Sequence, residues 1–349
     1  MNETITPRQA RILNVITALN GVGREEIRVE IEKTYHISKP TLIRDLNILQ
    51  KQKRIKSVGK GPLTKYHPFM ENPLLKEFDI DAYFSLDPDE RKGKRSFDFT
   101  IFDHFSHIFT EEELMQLDRV KKSYSLATSH LDPSLLKREL ERFTIELAWK
   151  SSKIEGNTYT LLETESLIKE RKEAKGKTKD EATMILNHKV AFDEIVAHRK
   201  DFMTLSLSII TQLHNVLVKD LDVTTGIRKQ AVGITGATYV PLDNEHQIRE
   251  AFERTITMIN KTKDAFEKAF IAHVMIAYIQ PYADGNKRTA RMLTNAVLLS
   301  HDLYPLSYRS VDEDVFKKAL IVFYEQGSIC EIKRLFIDQV QFANKTYFR

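Results

Sequence analysis

The segment that most limits the fold runs from residue 266 to residue 299. A helix predicted from Phe266 to Ile279 runs into Pro281, a polar loop follows, and a second helix is predicted from Lys287 through Leu299. Helical patterns dominate around it. Thr110, with Glu113 three residues on, reads as a capping box opening a helix to Ser125. Further helices are predicted over 133–150, 161–172, 181–200, 205–217 and 245–259. Ser151-Ser152-Lys153-Ile154-Glu155-Gly156-Asn157 breaks one of them at a glycine. With 12 glycines and 10 prolines in 349 residues and no repeat at a fixed period, long helices are favoured over a turn-rich all-β fold. One interruption stands out. Gln230–Val240, QAVGITGATYV, reads as a short β-hairpin whose edge could take an extended peptide as an added strand.

Charge divides the chain unevenly. Residues 1–70 carry 13 Lys+Arg against 6 Asp+Glu, a balance of +7, and the remainder carries −3. In the basic part, helices are predicted over 7–19, ended by Asn20-Gly21, and over 24–33. Ser38 reads as the N-cap of a third helix, 39–52, with Pro40 in its first turn. Two β-prone pieces, 55–58 and 64–67, flank the turn Gly59–Pro62. Three helices and a hairpin in that order make a winged helix-turn-helix. Its third helix would offer Lys39, Thr41 and Arg44 to double-stranded DNA, with Lys60 at the wing tip. The alternative is a protein-docking module with a solvated basic face. The charge-rich stretch Asp87–Arg95 reads as an exposed linker, which divides the chain into 1–70, a connecting segment 71–110, and a helical body 111–349.

A single cysteine, Cys330, excludes a disulfide scaffold and a cysteine-based zinc site and fits a reducing compartment. No apolar run resembles an export signal or a membrane span, so a cytoplasmic protein without a membrane partner is expected.

The chemistry concentrates in Gln280-Pro281-Tyr282-Ala283-Asp284-Gly285-Asn286-Lys287-Arg288-Thr289-Ala290-Arg291. A loop feeding a helix N-terminus presents free N–H groups and the positive end of the dipole. Lys287, Arg288 and Arg291 add cations, and Asp284 offers a carboxylate for Mg²⁺, which typically combines one or two protein oxygens with substrate phosphates. These residues point to a nucleotide-phosphate site with a metal. Cations at a helix N-terminus oppose the dipole, so the alternative is that they are merely solvated.

This segment resembles the Fic-family signature H-x-F-x-D/E-G-N-x-R-x-x-R. Ser151-Ser152-Lys153-Ile154-Glu155-Gly156 resembles the family's inhibitory motif, S/T-x-x-x-E-G/N. Gly226-Ile227-Arg228 and the predicted hairpin after it resemble the approach to the flap over the active site, and Val315–Leu320 and Ser328–Phe336 the closing helices. The resemblance spans Leu114 to Phe336 and implies a mostly α fold: an all-helical Fic core with a small β-hairpin flap, preceded here by the winged helix. It implies transfer of AMP from ATP to a Ser, Thr or Tyr hydroxyl of a protein, this chain itself or a homodimer partner included. Asp284 would hold Mg²⁺ on the phosphates. Asn286 and the backbone at Gly285 would receive the α-phosphate, and Arg288 the β-phosphate. Arg291 would meet the γ-phosphate or, at rest, pair with Glu155 and shut the site. Main-chain atoms of Thr238, Tyr239 and Val240 would align the target.

Two positions depart from the family pattern. Gln280 stands where the family has the histidine that removes the hydroxyl proton. An amide has no basic lone pair near neutral pH, and losing a general base typically costs about 10² to 10⁴ in rate. His273, seven residues earlier on the same helix, is about 10 Å away along the axis and too far to substitute. Lys287 replaces the second glycine of the common signature, as in a branch of the wider family that transfers the γ-phosphate instead. The expectation is an adenylyltransferase fold autoinhibited by Glu155 and impaired or inactive at Gln280. The alternatives are a nucleotide-sensing transcriptional regulator without transferase activity, and a phosphotransferase.

Overall fold

A computed structural model describes residues 5–19, 21–69, 72–130 and 132–348. The expected helix stop at Asn20 and the expected boundary at residues 70 and 71 lie outside the described residues. The chain divides into two compact units, Met1–Pro73 and Leu74–Arg349.

In the first unit, helices α1 (Pro7–Leu19), α2 (Arg24–Glu32) and α3 (Lys39–Lys51) accompany strands β1 (Val22–Gly23), β2 (Ile55–Val58) and β3 (Lys65–Pro68). The antiparallel sheet has the order β1-β3-β2, with Val22 opposite Tyr66 and Ser57 opposite the same residue on the other side. Ile12, Ile16, Ile27, Ile31, Leu42, Leu46 and Leu49 recur at helical spacing and form its core with Ile55 and Tyr66. Leu19, by contrast, is exposed. Ser38 caps α3 by accepting from the Thr41 N–H. The β2–β3 turn needs Gly59, at φ +95°, because a Cβ there would come within 2.7 Å of the Leu63 carbonyl oxygen.

The second unit holds α4 (Ile80–Phe84), α5 (Glu111–His130), α6 (Pro133–Ile154), α7 (Leu161–Glu170), α8 (Lys179–Ala197) and α9 (Leu207–Leu217). They are followed by α10 (Glu245–Lys261), α11 (Ala265–Ile279), α12 (Asn286–Ser300), α13 (Glu313–Gln326) and α14 (Cys330–Thr346). Helices α11 and α12 are its centre. All of α11 except Glu267 is buried, and all of α12 except Lys287 and Ser300. A helix apolar all round needs neighbours all round. Here α10 and α13 cover α11, while α6, α8 and α9 cover α12. The mostly helical fold with one small sheet is the one expected. No described helix is long and apolar enough to cross a membrane.

Two expectations change. The stretch read as a linker is part of the second unit from Leu74 onward: Phe97, Ile101, Phe105, Ile108 and Phe109 lie in its core. Within Asp87–Arg95 most side chains are exposed, but Arg91 is buried and faces the buried carboxylate of Glu325 at 3.7 Å. A run of charges concealed one buried charge. The hairpin expected over Gln230–Val240 has no strand ladder. It is a loop with a turn from Ile234 to Ala237, and Val240 makes a single parallel bridge with Ser96. Two of its backbone groups are held by distant side chains: Arg91 donates to the Gly236 carbonyl and Glu325 accepts from the Thr238 N–H.

Candidate active site

The loop between α11 and α12 is held partly by contacts within itself. Gln280 closes α11 in the left-handed conformation, φ 51°, and its side-chain Nε2 donates to the Ala277 carbonyl at 2.7 Å. That satisfies one of the orphan carbonyls every helix end leaves. Asn286 reaches back four residues: its Oδ1 accepts from the Tyr282 N–H and its Nδ2 donates to the Tyr282 carbonyl, both at 2.8 Å. Both ends of the Asn286 amide are therefore used to close the loop. One N–H of Nδ2 remains beyond these two bonds.

Helix α12 begins at Gly285, φ 79°, and has no side-chain cap. A Cβ at Gly285 would approach Val218 Cγ1 to 2.8 Å. The uncapped first turn leaves backbone N–H groups and the positive dipole end for an anion. Arg288 is buried, pairs with Asp284 at 2.9 Å and donates weakly to the Leu217 carbonyl at 3.4 Å. Asp284 itself is 68% exposed, and its main-chain oxygen accepts from His214 Nε2 at 2.9 Å. Among the described residues no group of three or more His, Cys, Asp or Glu is placed to hold a metal ion.

One turn further on, Arg291 meets the C-terminal end of α6. It pairs with Glu155 at 2.8 Å and donates from Nε to the Ser151 hydroxyl and from Nη2 to the Ser151 carbonyl, each at 2.9 Å. Arg291 Nη1 is buried without a hydrogen-bond partner. Glu155 ends α6, and Gly156, at φ 97°, turns the chain away. Burial pushes the Glu155 carboxyl upward, but Arg291, Lys287 and Arg288 outweigh it and the net displacement is downward, so the group stays ionised.

Two cavities share this wall. One of about 150 Å³ is lined by Gln280, Ala283–Lys287, Glu155 and Val232–Thr235. The other, about 310 Å³, shares Glu155, Ile234, Thr235 and Lys287 and adds Phe316, Ile321 and Tyr324. The structure thus brings Gln280, Asp284, Gly285, Lys287 and Glu155 around common space. Thr238, Tyr239 and Val240 line neither cavity. The N–H of Thr238 donates to Glu325 at 2.7 Å, that of Val240 to the Arg95 carbonyl at 3.0 Å, and the Tyr239 hydroxyl to the Tyr278 carbonyl at 2.9 Å. The first two are already engaged within the chain, so a docking target would have to displace them.

Several supporting residues escaped sequence reasoning. Arg228 donates from Nε to the Gln280 carbonyl at 2.6 Å and from its other nitrogens to the carbonyls of Gln230 and Leu242. His214 stacks on Tyr282 with ring centres 3.8 Å apart. Neither has a sequence signal beyond Arg228's place before the flap. His273 is buried in the core, its Nδ1 3.2 Å from the Thr294 hydroxyl, and burial with the nearby Arg291 charge pushes it down to about 3. It lines neither cavity. In the first unit, Lys39, Arg44 and Lys60 are exposed, whereas Thr41 is half-buried with its hydroxyl 2.8 Å from that of Ser38.

Residues 204–298 match the model of the Fic/DOC family, so the second unit carries a Fic domain. The chain is 29% identical over 192 residues to the protein adenylyltransferase Fic of Drosophila persimilis, which covers 54% of this chain and 37% of the fly protein. The protein of the same name from Drosophila melanogaster matches at 29% over 54% of this chain and 39% of its own length. The chain therefore spans less than half the length of these relatives. Among solved structures, Fic-1 from C. elegans superposes with a TM-score of 0.56 at 19% identity, covering 67% of this chain and 70% of that one. A Fic-domain signalling protein from Bacteroides thetaiotaomicron gives 0.55 at 20% identity, covering 66% and 96%.

Proposed function

We propose that the second unit binds ATP across the two cavities and is held in a resting state by Glu155, with AMP transfer to a protein hydroxyl impaired by Gln280. The observation that carries this reading is the 2.8 Å pair between Arg291 and Glu155 beside an uncapped helix N-terminus. The backbone N–H groups of the first turn of α12 would receive the α-phosphate, Arg288 the β-phosphate, and Arg291 the γ-phosphate once Glu155 withdraws. The apolar wall of Phe316, Ile321 and Tyr324 suits a planar base. Mg²⁺ fits as a ligand of the largely exposed Asp284 carboxylate together with nucleotide oxygens, since Glu155 in the same cavity is paired with Arg291. When bound, it would neutralise phosphate charge. Gln280, with one Nε2 hydrogen on the Ala277 carbonyl, can orient a hydroxyl but cannot take its proton.

The test compares Glu155→Gly with Glu155→Gly/Gln280→His, incubated with labelled ATP and Mg²⁺. Label only in the second variant supports an intact site that lacks its base. Equal label in both means that Gln280 is no defect. Absence of ATP binding in either overturns the reading. A nucleotide sensor without transfer is the reading left if both bind ATP and neither transfers; transfer of the terminal phosphate instead of AMP would vindicate the Lys287 alternative.

For the first unit, we propose a winged helix that binds double-stranded DNA. Three helices with a three-stranded antiparallel sheet, and exposed Lys39, Arg44 and Lys60, support it. Binding that weakens steeply with salt is expected in a gel shift, and its absence at about 50 mM salt would favour a protein partner.

A further inference from the structure

The Ser151 hydroxyl stands between two helices other than its own. Arg291 Nε of α12 donates to it at 2.9 Å, and His188 Nε2 of α8 lies 2.8 Å away. The His188 tautomer follows from its other contact. Nδ1 is 2.8 Å from the Met184 carbonyl, which can only accept, so Nδ1 carries the proton. Nε2 of the neutral ring is then an acceptor, and the Ser151 O–H must donate to it. That orientation turns the Ser151 lone pairs toward Arg291.

His188 is fully buried, and burial lowers its affinity for a proton, to a pKa of about 3, with the Arg288 and Arg291 charges adding to the effect. The ring is neutral over the ordinary pH range. Residues 151 and 155 thus grip Arg291 together, and the grip depends on α8 as well as on α6.

We propose that His188 is a positioning residue for the resting contact: by accepting the Ser151 proton it fixes the Ser151 oxygen on Arg291 Nε and holds the guanidinium against Glu155. The consequence for nucleotide rests on the ATP reading above, but the contact itself does not. Removing Glu155 alone leaves Arg291 with both Ser151 hydrogen bonds, so full release requires loosening His188–Ser151 too.

The experiment uses the full chain as His188→Leu, His188→Gln, Ser151→Ala and the double variant Ser151→Ala/His188→Leu. One readout is hydrogen exchange at the amides of Gly156 and Asn157, which bond to the Lys153 and Ser152 carbonyls. The other is binding of a fluorescent ATP analogue. His188→Leu and Ser151→Ala should each speed exchange about ten-fold and tighten the analogue by about five-fold, the scale of one hydrogen bond to a charged group. His188→Gln, whose amide oxygen can stand in for Nε2, should remain within about two-fold of the parent. The double variant should add nothing to the larger single effect.

Unchanged exchange in His188→Leu, a glutamine variant as fast as the leucine one, or additive effects would each overturn the proposal. Should His188→Leu fail to fold, Ser151→Ala carries the test, and unchanged exchange there overturns it equally. If no variant, Glu155→Gly included, binds the analogue, the nucleotide reading falls while the exchange data still decide the role of His188.

Discussion

The loop at 280–291 and the flap at 230–240 face the same cavity but are held in opposite ways. In the loop, side chains grip backbone and partners three or four residues away: Gln280 on Ala277, Asn286 on Tyr282, Arg288 on Asp284. In the flap, backbone groups are gripped by side chains from remote parts of the chain. Arg91 donates to the Gly236 carbonyl and Glu325 accepts from the Thr238 N–H, while the nearby Arg228 holds the Gln230 carbonyl at the flap's start and that of Leu242 just beyond its end. The loop is also tied from outside, by Arg228 on the Gln280 and Pro281 carbonyls and by His214 on the Asp284 carbonyl, but much of its shape is set by its own side chains. The flap keeps its shape only while distant residues stay packed.

The largest effect should come from the residue that joins the two regions. Arg228→Met strips donors from three carbonyls, each costing about 1–3 kcal/mol if left buried and unpaired. Urea unfolding should show a loss of several kcal/mol, and hydrogen exchange should quicken in both loop and flap. A change confined to one of them would break the comparison. Next comes Arg91→Met, which abandons the buried Glu325 charge and should cost about 3 kcal/mol. Its exchange signature should fall on residues 232–240 and spare 280–286. Asn286→Ala should do the reverse at about 2 kcal/mol, loosening Tyr282–Asn286 with the flap untouched, read by the same two measurements.

A further effect is graded with pH. Burial lowers His188 and His273 to about 3 in the folded chain, against an ordinary value near 6.5. Below that ordinary value the unfolded chain binds protons that the folded chain refuses. Their contribution is therefore complete above about pH 6.5 and declines as pH falls toward 3, by roughly 1 kcal/mol per unit for each ring. Unfolding free energies between pH 7 and 5 check this, and His273→Gln should flatten the slope.

The same contrast explains what the sequence made legible. Helix periods, caps such as Ser38 and Thr110, and the Gly285 loop are short-range features, and a linear reading finds them. The pairing of Glu155 with Arg291 was expected from two motifs that resemble a family, not from spacing. Residue type says nothing of where an amide points, and the bonds of Asn286 to Tyr282 could not be read from the sequence. Arg91 was hidden for a different reason: its partner Glu325 lies more than two hundred residues away, and three other basic residues, Lys92, Lys94 and Arg95, follow it before the core aromatics begin at Phe97. Nothing in a run of charges marks the one that will be buried.

The parallel bridge between Ser96 and Val240 also decides how the second unit can be handled as a fragment. A piece beginning at residue 111, where the sequence suggested the helical body starts, would lose Arg91, the Arg95 carbonyl and the Phe97 ring that stacks on Tyr278 at 4.7 Å. Val240 would then present an unpaired backbone edge beside an uncovered aromatic face. Such an edge invites pairing between molecules. A fragment that keeps these contacts therefore has to start before Arg91.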